Sequence, residues 1–414
     1  MPNRAHRSDP APYPEPMGEG PRSTGGGRTR ISRRTASWLV DALTPGRAPR
    51  AWERDRHGVP PDLEAAAALH GVEGWVRRRA QGAGVAVPGV EDAVRRAAAR
   101  HMRAVGDLRL VQQCLASACL PFVVVKGPAL VERLYGSPDL RSYVDLDLLV
   151  RPSDLGAAVY ALEAAGCALL DANWPLLQEA GVHELRLLGP TGGAIDLHWS
   201  LGKGPGLVDV SPAVDTLLDR AVTWHLGDSS LLTLDWSDTV VHLAVHAAAS
   251  GGHRLLWCAD LRAALERMPE DGPASLVERT AEWRAGPQLH IMLARTRASL
   301  GTDIPPELTG GLGLRRSWRG LTTAVDRAFP VERQGDGRGL MRLVARSAST
   351  TTRASWGALA SKTLSAAKAP REELVPDWLL DPDEPRSALH AVGGREGREA
   401  FFAAVAAEAR ATGR

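Results

Sequence analysis

The sequence predicts an α+β protein: a small mixed sheet embedded in a largely helical chain. Two observations carry this. Short apolar runs rich in β-branched residues fall between residues 122 and 199, each bounded by Gly, Pro or polar turns. Long Ala- and Leu-rich stretches with apolar residues three or four apart lie on both sides of them. A further feature is chemical: carboxylates sit inside two of the apolar runs, Asp145 and Asp147 in one and Asp196 in another.

Residues 1–30 are rich in Pro, Gly, Arg and Ser and bury too little to fold alone, so a disordered tail is expected. Residues 31–120 read as a helical region. Ser37–Leu43 ends at Pro45-Gly46, an Ala-rich helix enters through Pro60-Pro61, Glu73–Ala80 forms another, and Pro88–Ala118 carries a long stripe in which Gly106 either loosens or breaks the helix. Residues 121–210 form the core. Strand 122–126 leads to a helix over 129–135, and strand 144–150 follows. Ser153 is placed to cap a helix over 154–165 that ends at Gly166. Residues 167–170 suit a short edge strand. Residues 183–188 and 194–199 flank Gly189-Pro190-Thr191-Gly192-Gly193 as a hairpin. The glycine-rich segment 201–210 is a loop beside the site. Residues 211–370 return to helix, broken by a strand near 230–234, with Asp235 as the cap of the helix that follows. Residues 371–414 hold a polar linker and an Ala-rich helix.

Composition bounds the function. With 50 basic and 48 acidic residues the formal charge is +2, which offers no track for a long nucleic acid. The four cysteines, 114, 119, 167 and 258, lack disulfide or metal-ligand spacing and suit a reducing cytoplasm. No stretch is apolar enough to span a membrane, and no signal-peptide core is present.

The chemistry concentrates in FVVVKGPALVERLYGSPDLRSYVDLDLLV, residues 122–150. Asp145 and Asp147 are two apart, so a strand points both to one face. An unpaired charge buried there costs several kcal/mol, and a hard divalent cation is a good partner. Asp196, in the strand pattern Ala194–Trp199, supplies a third carboxylate from a neighbouring strand. Such a set suits two Mg²⁺ ions about 4 Å apart. Lys126 and Gly127 form a turn; the glycine permits close backbone approach of an anion. Arg141 offers a planar fork for phosphate, or pairs with Asp139. His198 shares a strand face with Asp196. Tyr143 reads as core, and His183 and Arg186 are weaker candidates. His242 and His246 are four apart on a helix but lack the Glu of a His-Glu-x-x-His zinc motif. Asp260 and Arg254 read as an inter-helix ion pair.

The ordered set of Lys126-Gly127, Arg141, Asp145-x-Asp147-Leu-Leu-Val and Ile195-Asp196-Leu197-His198-Trp199 resembles the polymerase-β-like nucleotidyltransferase superfamily, and most closely its uncharacterised bacterial branch. The turn here is Gly127-Pro128 where the wider superfamily carries Gly-Ser or Gly-Gly. The resemblance implies a nucleotidyltransferase core in 121–210, with Asp145, Asp147 and Asp196 as catalytic metal ligands. Lys126, Gly127, Arg141 and His198 would face the nucleotide. Asp260 and Arg254, if not an inter-helix ion pair, would belong to a helical module that closes over it. It implies an NTP, ATP first, as co-substrate with two Mg²⁺ ions. The NMP would pass to a hydroxyl on a small molecule, a peptide or protein, or an RNA end such as that of a tRNA. The alternatives are a fold that binds without turnover and a phosphotransferase that moves the γ-phosphate.

Overall fold

The β-branched runs pair into one seven-stranded mixed sheet, in the order β3-β4-β5-β2-β1-β7-β6. The strands are β1 (Phe122–Val124), β2 (Asp145–Val150), β3 (Ala168–Leu169), β4 (Glu184–Leu188), β5 (Ala194–His198), β6 (Val222–Leu226) and β7 (Ser229–Thr233). This computed structural model describes residues 30–44, 52, 58–202, 210–335, 339–368 and 383–412. The expected disordered tail, apart from Arg30, and most of the 201–210 loop lie outside the described residues.

Strand periodicity sorts the side chains onto two faces. Phe122 and Val124 on β1, Leu146, Leu148 and Val150 on β2, and Leu185, Leu187, Ile195 and Leu197 on the hairpin join one apolar cluster. Over that face lie Leu108, Val111 and Leu115 of the Val90–Ser117 helix and Phe401, Phe402 and Val405 of the C-terminal helix Gly394–Thr412. Val123, Val125 and Leu149 point the other way, into a second cluster built largely from the helices Arg33–Leu43, Leu63–His70, Trp236–Ala249, Leu255–Leu265 and Gly286–Leu300. That second cluster does not extend over β4 and β5, whose residues on this side are Glu184, Arg186, Asp196 and His198.

Most elements follow their sequence signals. Asp235 caps the Trp236–Ala249 helix by accepting from Asp238 N at 2.7 Å. The long helix runs unbroken through Gly106, where a side chain would meet Thr191 Cγ2 at 3.3 Å. Three expectations need correction. Ser153 does not cap: its hydroxyl donates to the adjacent Asp154, and a 3₁₀ turn, Pro152–Asp154, opens the helix Leu155–Ala164. The helix expected over 129–135 is a single α turn, Pro128–Leu130, widened into a π turn over Val131–Tyr135 that Gly136 ends at φ 65°. The sheet also continues beyond residue 210 through the β6–β7 hairpin, with β7 parallel to β1. β6, Val-Thr-Trp-His-Leu, lies at the sheet edge and buries only Trp224 and Leu226, so its alternation is weak. The short helix Trp174–Ala180, capped by Asn173, was also not expected.

One buried carboxylate sets the β4–β5 hairpin. Asp107, 1% exposed on the long helix, accepts from Thr191 N at 3.0 Å, Thr191 Oγ1 at 2.6 Å and Gly193 N at 3.1 Å. Gly189 and Gly193 leave it room, since a Cβ on either would come within 2.5 Å of its carboxylate. Replacing Asp107 with Ala strands two backbone N–H groups. It should cost about 3 kcal/mol by urea denaturation and raise amide exchange at residues 189–193.

Two buried histidines tie the fold to pH. Burial, then Arg254, lowers His70 to about 3; burial, then Arg342 and Arg254, lowers His253 to about 2. In the unfolded chain each takes up a proton near pH 6.5. Their contribution to stability is therefore complete above that pH and declines as pH falls toward the folded values. At pH 5 the loss is on the order of 2 kcal/mol for each histidine. A His253→Gln variant should show a shallower fall in urea midpoint between pH 7 and 5 than the unaltered protein.

Candidate active site

Parallel pairing of β2 with β5 sets Asp147 opposite Asp196 and Asp145 opposite Ala194. Neighbouring strands are about 4.8 Å apart, so residues distant in sequence become lateral neighbours. Antiparallel β4 then places Glu184 opposite His198 and Arg186 opposite Asp196. All three predicted acids thus meet on one sheet face, at the edge of the helical cluster that covers β1 and β2.

Asp147 is the centre of charge. Lys126 Nζ donates to its Oδ1 at 2.9 Å, and His198 Nε2 reaches the same oxygen at 3.1 Å. The other ring nitrogen of His198 lies 3.2 Å from Glu184 Oε2. Lys126 also approaches His246 Nδ1 at 3.4 Å. Burial works against the Asp147 carboxylate, yet Lys126 and His198 outweigh it and hold the group well below the usual range. On the cationic side Asp147 and Asp145 outweigh burial at Lys126, and Glu184 and Asp147 outweigh it at His198, so both are raised. Asp145 and Asp196 behave oppositely. Burial raises both; Asp147 adds to the rise at Asp145, and Asp145, Glu184 and Asp147 add to a larger one at Asp196. Arg186 Nε is 3.9 Å from Asp196 Oδ1, too long for a hydrogen bond.

The turn before these acids is built around Gly127. Its backbone has φ 61° and ψ −126°, a conformation that favours glycine. A Cβ there would touch Asp145 O at 3.4 Å and the Tyr143 ring at 3.5 Å. Tyr143 is half-buried, and its hydroxyl meets His101 Nδ1 at 2.9 Å.

Arg141 lies deeper than an arginine that reads solvent. It is 6% exposed, and its Nε donates to Asp260 at 3.0 Å. Tyr135 donates to the same Asp260 oxygen at 2.6 Å. Both alternative pairings considered from sequence give way to this one. Asp139 takes Arg77 and Arg78 instead, at 3.1 and 3.2 Å, and Asp260 pairs with Arg141 rather than Arg254. The Arg141 Nη1 is buried and meets no hydrogen-bond acceptor among the described residues. His242 and His246 have ring centroids 6.2 Å apart, and His246 turns toward Lys126. His183 packs beside Trp199 with centroids 6.4 Å apart.

Glu184 is the residue that sequence reasoning missed. Its signal was the hairpin itself: a pairing that puts residue 188 opposite 194 necessarily puts 184 opposite 198. It extends the acidic surface to four carboxylates, Asp145, Asp147, Asp196 and Glu184.

The residues fit a hard divalent cation by two observations. Asp147 Oδ2 is buried with no hydrogen-bond partner among the described residues, and Asp196 is driven toward its protonated form by burial first and then by the acids beside it. Both conditions are relieved by added positive charge. Among the described residues no group of three or more His, Cys, Asp or Glu is already arranged to hold a metal ion. The nearest cationic groups, Lys126 and His198, occupy Asp147 Oδ1.

Breaking the Arg141–Asp260 pair should be expensive, because it leaves a buried guanidinium without its counter-charge. An Asp260→Asn substitution should lower stability by about 3 kcal/mol in urea unfolding at pH 7. Replacing both residues by apolar ones of similar volume should cost less.

The profile of the uncharacterised nucleotidyltransferase family matches residues 60–301, more than half of the chain. No curated protein matches the chain. Among the described residues no helix is long and apolar enough to cross a membrane. The matched span contains every strand of the sheet and all of the predicted site residues, and the chain belongs to this family of nucleotidyltransferases.

Proposed function

We propose that the protein transfers a nucleoside monophosphate from an NTP, ATP first, to a hydroxyl acceptor and releases pyrophosphate. The observation that supports this best is the lateral convergence of Asp145, Asp147 and Asp196 beside the Lys126-Gly127 turn. In this reading the three aspartates hold Mg²⁺. Bound Mg²⁺ supplies a lowered acceptor-hydroxyl pKa and stabilises charge on the leaving phosphates.

The chain's own residues have separable tasks. Lys126 neutralises Asp147, and its ammonium would be free to contact phosphate if a bound cation took over that charge. His198, bridged between Asp147 and Glu184, orients the Asp147 carboxylate. Gly127 lets the backbone approach a phosphate without a side chain intervening. Arg141, locked against Asp260, presents one unsatisfied N–H group rather than an open fork. The acceptor is a small hydroxylated molecule, a peptide or protein side chain, or an RNA end such as that of a tRNA. The formal charge of +2 gives no general support for a long nucleic acid.

A second reading, binding without turnover, draws on the Lys126 and His198 contacts that fill Asp147 Oδ1. Assays with Mg²⁺, ATP and candidate acceptors separate the two. Pyrophosphate release should fall at least about a hundredfold in Asp145→Asn and Asp147→Asn. Label on the α-phosphate should move to the acceptor; movement of γ-label instead would establish the phosphotransferase reading. A Lys126→Met variant adds a check that needs no acceptor. It should melt at a lower temperature than the unaltered protein and gain more from added Mg²⁺, because Asp147 has lost its built-in cation.

A further inference from the structure

Beyond the aspartates, a circuit of side chains closes around the Lys126-Gly127 turn. Lys126 reaches His246 at 3.4 Å, and the His246 and Trp257 rings meet edge-on with centroids 6.2 Å apart. The Arg254 guanidinium lies over Trp257, 5.8 Å from the ring centroid. Arg254 and Arg100 are both within electrostatic reach of Glu73. Arg100 donates from Nε to Tyr143 O at 3.2 Å, and the Tyr143 ring packs on Gly127. The circuit therefore starts and ends at the same turn, beside Asp145.

Its charge is one-sided. Lys126 is already balanced by Asp147, but Arg254 is not held in a hydrogen bond or ion pair among the described residues, and Arg100 makes only its contact with the Tyr143 carbonyl. Arg96 and Arg103 flank Arg100 closely enough to lower its pKa together with burial. The acids nearby are Glu73, and Glu132 beside His101 and Tyr143. Arg254 is exposed to solvent.

We propose that Arg254 and Arg100, on the two arms of this circuit, grip the polyphosphate tail of the nucleotide. The inference rests on the nucleotidyltransfer reading and assigns the grip to residues outside the 122–150 segment but within the span that the family profile matches. Arginine forks bind phosphate oxygens in pairs. Arg141 is committed to Asp260 and takes a positioning role, fixing the helix that carries Trp257 against the π turn after Gly127.

Isothermal titration with ATP, inorganic tripolyphosphate and AMP, each with Mg²⁺, tests this on the full chain. Arg254→Ala and Arg100→Ala should each weaken ATP and tripolyphosphate at least tenfold and leave AMP unchanged, while Arg254→Lys recovers part of the loss. Circular dichroism checks the fold, and if Arg100→Ala unfolds, Arg100→Lys replaces it. If ATP binds the unaltered protein and both variants alike, the assignment is overturned and the nucleotidyltransfer reading survives. If tripolyphosphate binds through these arginines but ATP does not, the grip stands and that reading falls. If neither ligand binds the unaltered protein, the assignment is overturned as well.

Discussion

The structure depends on keeping the Asp147 carboxylate charged inside a sheet. At 2% exposure an isolated carboxylate would shed its charge, since the cost of burying it is several kcal/mol. Lys126 from the end of β1 and His198 from β5 prevent this by meeting one of its oxygens from two sides. The neighbouring acids lack equivalent partners, and their affinity for protons rises accordingly. The face is therefore polarised: one carboxylate is held charged and two are pushed toward their protonated forms. Such separation of neighbouring acids is common where a site must bind or move charge.

That polarity survives because the fold places it at a seam. The apolar residues of β1 and β2 are covered on both sides, whereas β4 and β5 are covered on one. The uncovered half is where Glu184, Arg186, Asp196 and His198 emerge. Register keeps them there, because a slip of one residue would turn every polar side chain into the apolar cluster. Asp107 guards that register from outside the sheet. It fastens the hairpin turn to the long helix through two backbone N–H groups and one hydroxyl. A residue far from the chemistry thus controls where Asp196 lies.

The helical region contributes more than a cover. The Trp236–Ala249 and Leu255–Leu265 helices bring His246, Arg254, Trp257 and Asp260 to the site, each engaged differently. Asp260 anchors, His246 touches Lys126, and Arg254 stays open. A buried pair such as Arg141–Asp260 gives little net stability, but it leaves one arrangement much better satisfied than its competitors. The reach of the family match to residue 301 agrees with this division of labour, because it takes in both helices along with the sheet.

Much of this was legible before any coordinates. Alternation over 144–150 and 194–199 separates core from site face because side chains in a strand repeat every two residues. The spacing of Asp145 and Asp147 and the hairpin between residues 183 and 199 were readable for the same reason. Glycine at 127 hinted at a close approach without naming the partner, and glycines 189 and 193 marked only the hairpin turn. The sequence alone did not decide which charges meet. Arg141 chose an aspartate 119 positions away over one two positions away, Lys126 found Asp147 and His246, and Arg254 lies over Trp257 while Asp260 pairs with Arg141. Local preference acts over a few residues, whereas ion pairing depends on distance in space, and only the packing of helices against the sheet sets those distances.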